Sequence, residues 1–476
     1  MSAIELTRSV PLPATERSLT GWGRTRASRA RVLQPRSEQD VLEALGAGQR
    51  RVAGVIARGA GRSYGDAAQN AGGDVLDMTR LRRILSIDRE RRLVSAEAGA
   101  TVAELLGALA PHGLMLPVVP GTRHVTLAGA IASDIHGKNH HRDGGMARQV
   151  ASLTLCTPTG ELLETSPDND PQLFYATLGG MGLTGVIARA TVRAAPLPAF
   201  VLEDADRTNN LEETLALMTA DDPHRYSVAW LDLLAGGPTT GRAIVSRSDP
   251  LPGESAEPPA QRPRLSARQA RQAGMQLRKP LLEVPRRFPG FLLHPAGVRA
   301  FNSIRWHSAP RTERGRALAL APYFFPLDVL GEWNRLYGRG GLIQYQFVVP
   351  AGRQDALMDC FELIRRRRLP VYLAVFKRLG ASFGGPLSFP LEGWTLAADL
   401  PAAAPGLERA LDELDELVAG CGGRVYLSKD ARLRPDVMRA MYPQIEAFNA
   451  QRERVDPERV LRSDLARRLG LCGDTP

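Results

Sequence analysis

Three glycine-rich segments between residues 57 and 187 limit what this chain can fold into. The first, Ala57-Arg58-Gly59-Ala60-Gly61-Arg62-Ser63-Tyr64-Gly65-Asp66, follows an apolar run, Val52 to Ala57, that reads as a strand. Gly59, Gly61 and Gly65 can take positive φ and bring backbone N–H groups against an anion, so this loop suits a pyrophosphate. The second runs from Pro120-Gly121-Thr122 through Thr126, Gly129-Ala130 and Ser133-Asp134 to His136-Gly137, and the third is Leu178-Gly179-Gly180-Met181-Gly182-Leu183-Thr184-Gly185-Val186-Ile187. Small residues, hydroxyls and glycines alternate in both, as backbone wrapped along an extended ligand requires. The first loop lacks the spacing of the dinucleotide-fold fingerprint and the Gly-Lys-Ser/Thr of a P-loop. A tight turn explains any one loop alone; three in succession argue for one shared ligand.

A chain of 476 residues is too long for one simple core, so two domains are expected. The formal charge of +10 favours anionic partners such as nucleotides, acidic lipid surfaces or phosphorylated substrates. Nucleic acid is not expected, because there is no Cys/His finger, stacking-strand motif or helix-turn-helix. The four cysteines, Cys156, Cys360, Cys421 and Cys472, are too widely spaced for a metal site and read as reduced, mostly buried thiols. No apolar run has the roughly 18 to 20 residues of a membrane-spanning helix, and Met1 to Thr20 does not read as a signal peptide. Membrane contact, if made, is expected to be peripheral.

Helical spacing of Val41, Leu42 and Leu45, and again of Val102, Leu105, Leu106 and Leu109, alternates with strand-like runs at Val75–Met78 and Leu93–Ala98, which predicts α/β or α+β structure. Strand character returns at Leu342–Val349, Val371–Phe376 and Gly393–Leu400, followed by an amphipathic helix on Leu407, Leu411, Leu414 and Val418. Between residues 248 and 295 the composition shifts: Arg262 to Arg287 hold eight basic residues against one acid, Glu283. Two readings stand, a solvated loop and a mobile basic segment against anionic lipid.

The set Gly-x-Gly-Arg-Ser-Tyr-Gly-Asp, Pro-Gly-Thr-x-x-Val-Thr-x-x-Gly-Ala-Ile-Ala-x-Asp-Ile-His-Gly-Lys-Asn-His-His and Gly-Gly-x-Gly-Leu-Thr-Gly resembles the FAD-binding half of the vanillyl-alcohol-oxidase superfamily. Within it the chain is most similar to the family of decaprenylphosphoryl-β-D-ribose 2-oxidases, with further matches at Pro326-Leu327-Asp328, Gly331-Glu332-Trp333-Asn334, Gln344-Tyr345-Gln346-Phe347, Val375-Phe376-Lys377, Gly393-Trp394 and Tyr426-Leu427-Ser428-Lys429-Asp430. The resemblance implies a two-domain α+β flavoprotein. Residues 1–200 and 422–476 would bind FAD, and 201–421 would form a substrate domain with an antiparallel sheet.

On the resemblance, FAD would be held by Arg58 to Gly65, by Pro120, Gly121, Thr122, Thr126, Gly129, Ala130, Ser133, Asp134, His136, Gly137 and Asn139, by Gly182, Thr184, Gly185 and Ile187, and by Tyr426. Lys429, His136 and Tyr64 would be catalytic, although an exposed strand-end lysine and a packed loop aromatic are the plain alternatives for Lys429 and Tyr64. Lys138, Gln344, Gln346, Lys377, Trp394 and Lys429 would line the substrate side. The histidines at 136, 140 and 141 suggest a metal at first sight, but Gly137 breaks the ligand spacing and no metal is expected. The implied reaction carries hydride from the ribose 2-carbon to flavin, giving a 2-keto sugar on a polyprenyl-phosphate carrier. An NAD-dependent reductase partner would complete epimerisation to the arabinose donor, at the plasma membrane, on a face left open. The alternative is an aldonolactone or alditol oxidase acting on a soluble sugar.

Two departures carry weight. Ala397 stands where this family often has a pocket cysteine, and Phe324 where it commonly has tyrosine. In many relatives a histidine of the first loop is bonded to the flavin; here Arg62 holds that place and cannot form the bond. The flavin is therefore expected to leave the protein on acid or denaturant treatment; colour retained by the denatured polypeptide would contradict this.

Overall fold

Apolar residues at period two and at period three to four sort the chain into three main sheets with short helices between them. The computed structural model describes residues 12–49, 51–219, 223–251, 280, 282–290 and 293–473. The first sheet has the order Ala14–Thr20, Ala27–Leu33, Asp74–Asp77, Val55–Arg58, its last two pairings parallel. The second is an antiparallel sheet of five strands, Ile84–Asp88, Leu93–Glu97, Val186–Arg193, Val150–Cys156 and Leu162–Thr165. The third has eight antiparallel strands in the order Thr312–Leu318, Phe200–Thr208, Arg242–Leu251, Tyr226–Asp232, Leu373–Leu379, Gly393–Pro401, Leu342–Pro350 and Arg424–Val425. This is α+β structure, with helix and strand segregated rather than wound into one parallel sheet.

The strand expected from Val52 starts at Val55, because residues 52–54 turn, with Val52 93% exposed and Gly54 at φ 63°. Ser37 caps the helix Glu38–Gly48, and Thr101 with Glu104 forms a capping box on Val102–Leu109. Of the segment set apart at 248–295, residues 248–251 complete a strand and Leu282–Glu283 pair with Leu330–Gly331. Residues 252–279 lie outside the described residues. The basic run from Arg365 ends an amphipathic helix, Gln354–Arg366, and faces outward.

After the large sheet the chain returns to the first. Val55 N–H donates to Val460 O at 2.8 Å, Tyr64 N–H to Ser428 O at 3.0 Å and Asp464 N–H to Gln69 O at 2.8 Å. The return is pinned by Arg452, which is fully buried and donates to Leu183 O and Leu461 O, each at 3.0 Å, and to Leu471 O. Asp456, 3.8 Å from that guanidinium, accepts from Val460 N and Leu461 N. One side chain thus ties the third glycine loop to two points of the C-terminal segment. Removing it strands three carbonyls and a buried carboxylate. Arg452→Met is expected to cost about 3–5 kcal/mol in denaturant unfolding; a loss within experimental error would contradict this pinning.

Candidate functional site

The first loop leaves the strand Val55–Arg58, the second runs into the helix Leu127–Ala132, and the third joins Pro171–Thr177 to Val186–Arg193. They meet along a cleft of about 650 Å³, closed on its other side by the eight-stranded sheet and by residues 327–335. That volume falls in the usual range for ligand sites, roughly 300–1,000 Å³.

Loop approach is tight. A Cβ on Gly59 would lie 2.1 Å from Thr126 Oγ1, and Gly61 and Gly182 have φ of 66° and 75°. Among the described residues, no hydrogen bond engages the backbone N–H groups of Gly59, Ala60, Gly61, Arg62 or Ser63. A run of free donors on a cradle too narrow for side chains is the donor set a dinucleotide pyrophosphate takes, so the residues present fit such a group.

The sheet supplies the opposite wall by alternation. Gln344 and Gln346, Val375 and Lys377, and Ala397 face the cleft, with Gln346 and Val375 both paired to Ala397. Lys429 Nζ stands 3.8 Å from the centroid of the Tyr64 ring. Loss of hydration pulls Lys429 down to about 7, with Asp399 opposing and neighbouring Lys377 adding to the shift. The same cause brings Lys377 to about 8. Asp399, 1% exposed, is pushed up to about 6 by burial, against a hydrogen bond from Gln344 Nε2 at 2.5 Å and the charge of Lys429. His136 is held well below its ordinary value by burial first, and then by the charges of Lys377 and Lys429 and by the neighbouring His140 imidazole. Tyr426 stacks on Phe389 and donates to Ser133 O at 2.7 Å.

Of the expected residues, the cleft brings together Gly59 to Tyr64, Pro120, Gly121, Thr122, Thr126, Gly129, Ser133 and His136, with Gly182, Gly185, Ile187 and Tyr426. Gln344, Gln346, Lys377 and Lys429 join them from the sheet side. Nine others do not line it. Arg58 braces the first loop from behind, donating to Thr20 O and Ala68 O. Gly65 packs on the Asp430 carbonyl, Ala130 points into the core, and Asp134 accepts from Ala147 N. Gly137 lies against Val119, Asn139 donates to Pro117 O and Asp143, and Thr184 pairs with Thr177. Lys138 turns away to donate to Tyr323 O at 2.6 Å over the Tyr323 ring. Trp394, one residue out of phase with Thr395 and Ala397, faces the core and stacks on Phe376. For Arg58, Gly65, Ala130, Asp134, Gly137 and Thr184 the adjacent motif residue lines the cleft in their place.

Trp22, Asp328 and Glu332 also line the cleft, although the sequence had given them no site role. Arg62 lies 3.9 Å from the centroid of the Trp22 ring and 3.7 Å from Glu332. Asp328 accepts from Arg123 N at 2.9 Å, which fastens residues 327–335 to the second loop. The motifs at 326–334 were visible, but nothing in their spacing tells a strap from a surface turn. Among the described residues, no group of three or more His, Cys, Asp or Glu side chains could hold a metal ion, and no helix is long and apolar enough to cross a membrane.

Known proteins bear on this site. The FAD binding domain family matches residues 30–166. The chain is 41% identical over 469 residues to decaprenylphosphoryl-beta-D-ribose oxidase of Mycolicibacterium smegmatis, covering 96% of this chain and 98% of that one. It is 26% identical over 450 residues to L-gulono-1,4-lactone dehydrogenase of Mycobacterium tuberculosis, covering 92% and 95%, and 32% identical over 195 residues to L-gulonolactone oxidase of Bos taurus, covering 41% and 43%.

The four cysteines are buried and form no disulfide among the described residues, and burial pushes Cys156 and Cys360 up to about 12. With Ala397 in the wall, the cleft offers no thiol. An inhibitor activated to a thiol-reactive form in the cleft is expected to leave the native protein's intact mass unchanged; an adduct on the wall segment 393–401 would contradict this.

Proposed function

The chain belongs to the decaprenylphosphoryl-β-D-ribose oxidase family of FAD-dependent oxidoreductases, and on that premise we propose that it oxidises the 2-hydroxyl of a polyprenyl-phosphoryl ribose to the 2-ketone. The observation that carries this reading is one cleft in which glycine loops fit for a dinucleotide face two half-buried lysines. FAD, when bound, supplies the two-electron acceptor. The rest of the chemistry falls to the chain.

The free N–H groups of residues 59–63 and the backbone at Gly121, Gly182 and Gly185 would hold the cofactor, without a covalent bond from Arg62. Lys377 would pair with the phosphodiester of the substrate, and Gln344 and Gln346 would orient sugar hydroxyls. Lys429, poised near neutrality, would take the proton of the 2-hydroxyl at Nζ as the carbon is oxidised. Residues 327–335 would exclude water from the reacting carbon. A 2-ketone on a lipid carrier calls for a reductive step to complete epimerisation, so an NAD-dependent reductase is the proposed partner. The lipid substrate and the charge of +10 support a peripheral association with an anionic membrane surface.

The lactone relatives favour a second reading, a soluble aldonolactone or alditol, but paired cations in the cleft have no evident use for a neutral sugar. Mass analysis of the lipid after turnover is expected to show ribose lighter by two hydrogens, while turnover of the lactone alone would sink the proposal.

The pH dependence has a definite sign. Below about 7 Lys429 is protonated and cannot accept a proton, and above about 8 Lys377 is neutral and cannot hold the phosphate. The kcat/KM profile is therefore expected to be a bell with its maximum between these values. Lys377→Met should raise KM and remove the alkaline limb, whereas Lys429→Met should lower kcat by about 10² or more. A flat profile, or equal effects of the two substitutions on KM, would contradict the assigned roles.

A further inference from the structure

Thr395, fully buried, sits on the strand Gly393–Pro401 across from Lys377. Its Oγ1 is 2.8 Å from Phe347 O and 3.2 Å from Gln346 Nε2. A hydroxyl has one proton to give, and a carbonyl oxygen can only accept. That proton therefore goes to Phe347, and Thr395 meets Gln346 as an acceptor. The amide edge turned to Thr395 must then be the NH₂, since two acceptors would repel at this distance. The same NH₂ lies 2.9 Å from His136 Nε2. Gln346 donates there too, so Nε2 accepts and the imidazole carries its proton on Nδ1. Nδ1 is buried and, among the described residues, has no hydrogen-bond partner.

We propose that Thr395 is a positioning residue for the reaction: acting through Gln346, it fixes His136 as a neutral imidazole whose Nδ1–H is the donor reserved for an acceptor atom of the ligand bound in the cleft. Burial and the charges of Lys377 and Lys429 oppose a second proton on the ring, beside which the His140 imidazole lies with centroids 6.3 Å apart. His136 is then a neutral hydrogen-bond donor rather than a base, which leaves proton acceptance to Lys429. A buried donor without a partner is costly, and a ligand acceptor relieves that cost.

This rests on the reading above for the reaction alone; the tautomer needs no substrate to be observed. In holoenzyme with ¹⁵N-labelled histidines, the His136 signals, assigned by their loss in His136→Gln, should show a protonated Nδ1 and an unprotonated Nε2 across the pH range of activity. Thr395→Val frees the amide to turn over, and should give mixed tautomers with kcat about tenfold lower and KM little changed. Thr395→Ser should restore both. A proton on Nε2 in the unaltered protein overturns the proposal, and so does a Thr395→Val protein with unchanged tautomer and kcat. Should Thr395→Val lose its flavin or its fold, the spectrum of the unaltered protein decides alone. Absence of turnover with lipid-linked ribose would remove the substrate assignment and leave the tautomer result standing.

Discussion

The site depends on how closely the C-terminal return meets the first glycine loop. A Cβ on Gly65 would sit 1.7 Å from the Asp430 carbonyl, so only glycine lets the two backbones touch there. Tyr64 N–H bonds to Ser428 O, and Arg468 clamps Asp66 at 2.8 Å and Asp430 at 2.9 Å. Both contacts flank Lys429 and set its ammonium over the Tyr64 ring. The cofactor loop and the proposed base are thus held by one junction between residues more than 350 positions apart.

Positive charge withdrawn from water is the second theme. Lys377 and Lys429 stand in the cleft wall, and Lys138 just behind it, with loss of hydration lowering each of them toward neutrality. Asp399 opposes the shift of Lys429, and one of its oxygens is buried with no hydrogen-bond partner among the described residues. Such an arrangement costs stability unless an anion completes it. A phosphorylated substrate supplies that anion, and a neutral lactone does not. The same field explains why His136, surrounded by these cations, acts as a hydrogen-bond donor and not as a charged group.

Much of this was legible in the sequence, for physical reasons. Glycine loops leave a compositional trace, and those at 59–65, 120–137 and 178–187 point to the ligand because only small residues permit such backbone approach. The family resemblance, more than strand alternation, singles out Gln344, Gln346 and Lys377, and alternation tells only that they share a face of their strands. It does not say which phase faces the ligand, and so Trp394 was expected in the cleft while Thr395 behind Gln346 was passed over. Lys138 shows the same limit: next to Gly137 in sequence, it swings to the Tyr323 carbonyl because the helix Leu320–Phe324, with Tyr323 185 residues further along the chain, supplies an acceptor there. Asp328, Glu332 and Trp333 carry no periodic signal, and only the folded chain brings their segment over the loops.

The central claim is that lipid-linked ribose is the electron donor in this cleft. Anaerobic mixing of the purified flavoprotein with polyprenyl-phosphoryl ribose, followed by absorbance, tests it most directly. The account predicts rapid bleaching of the flavin by the lipid-linked ribose and none by L-gulono-1,4-lactone. Bleaching by the lactone alone, with the lipid-linked ribose inert, would contradict it.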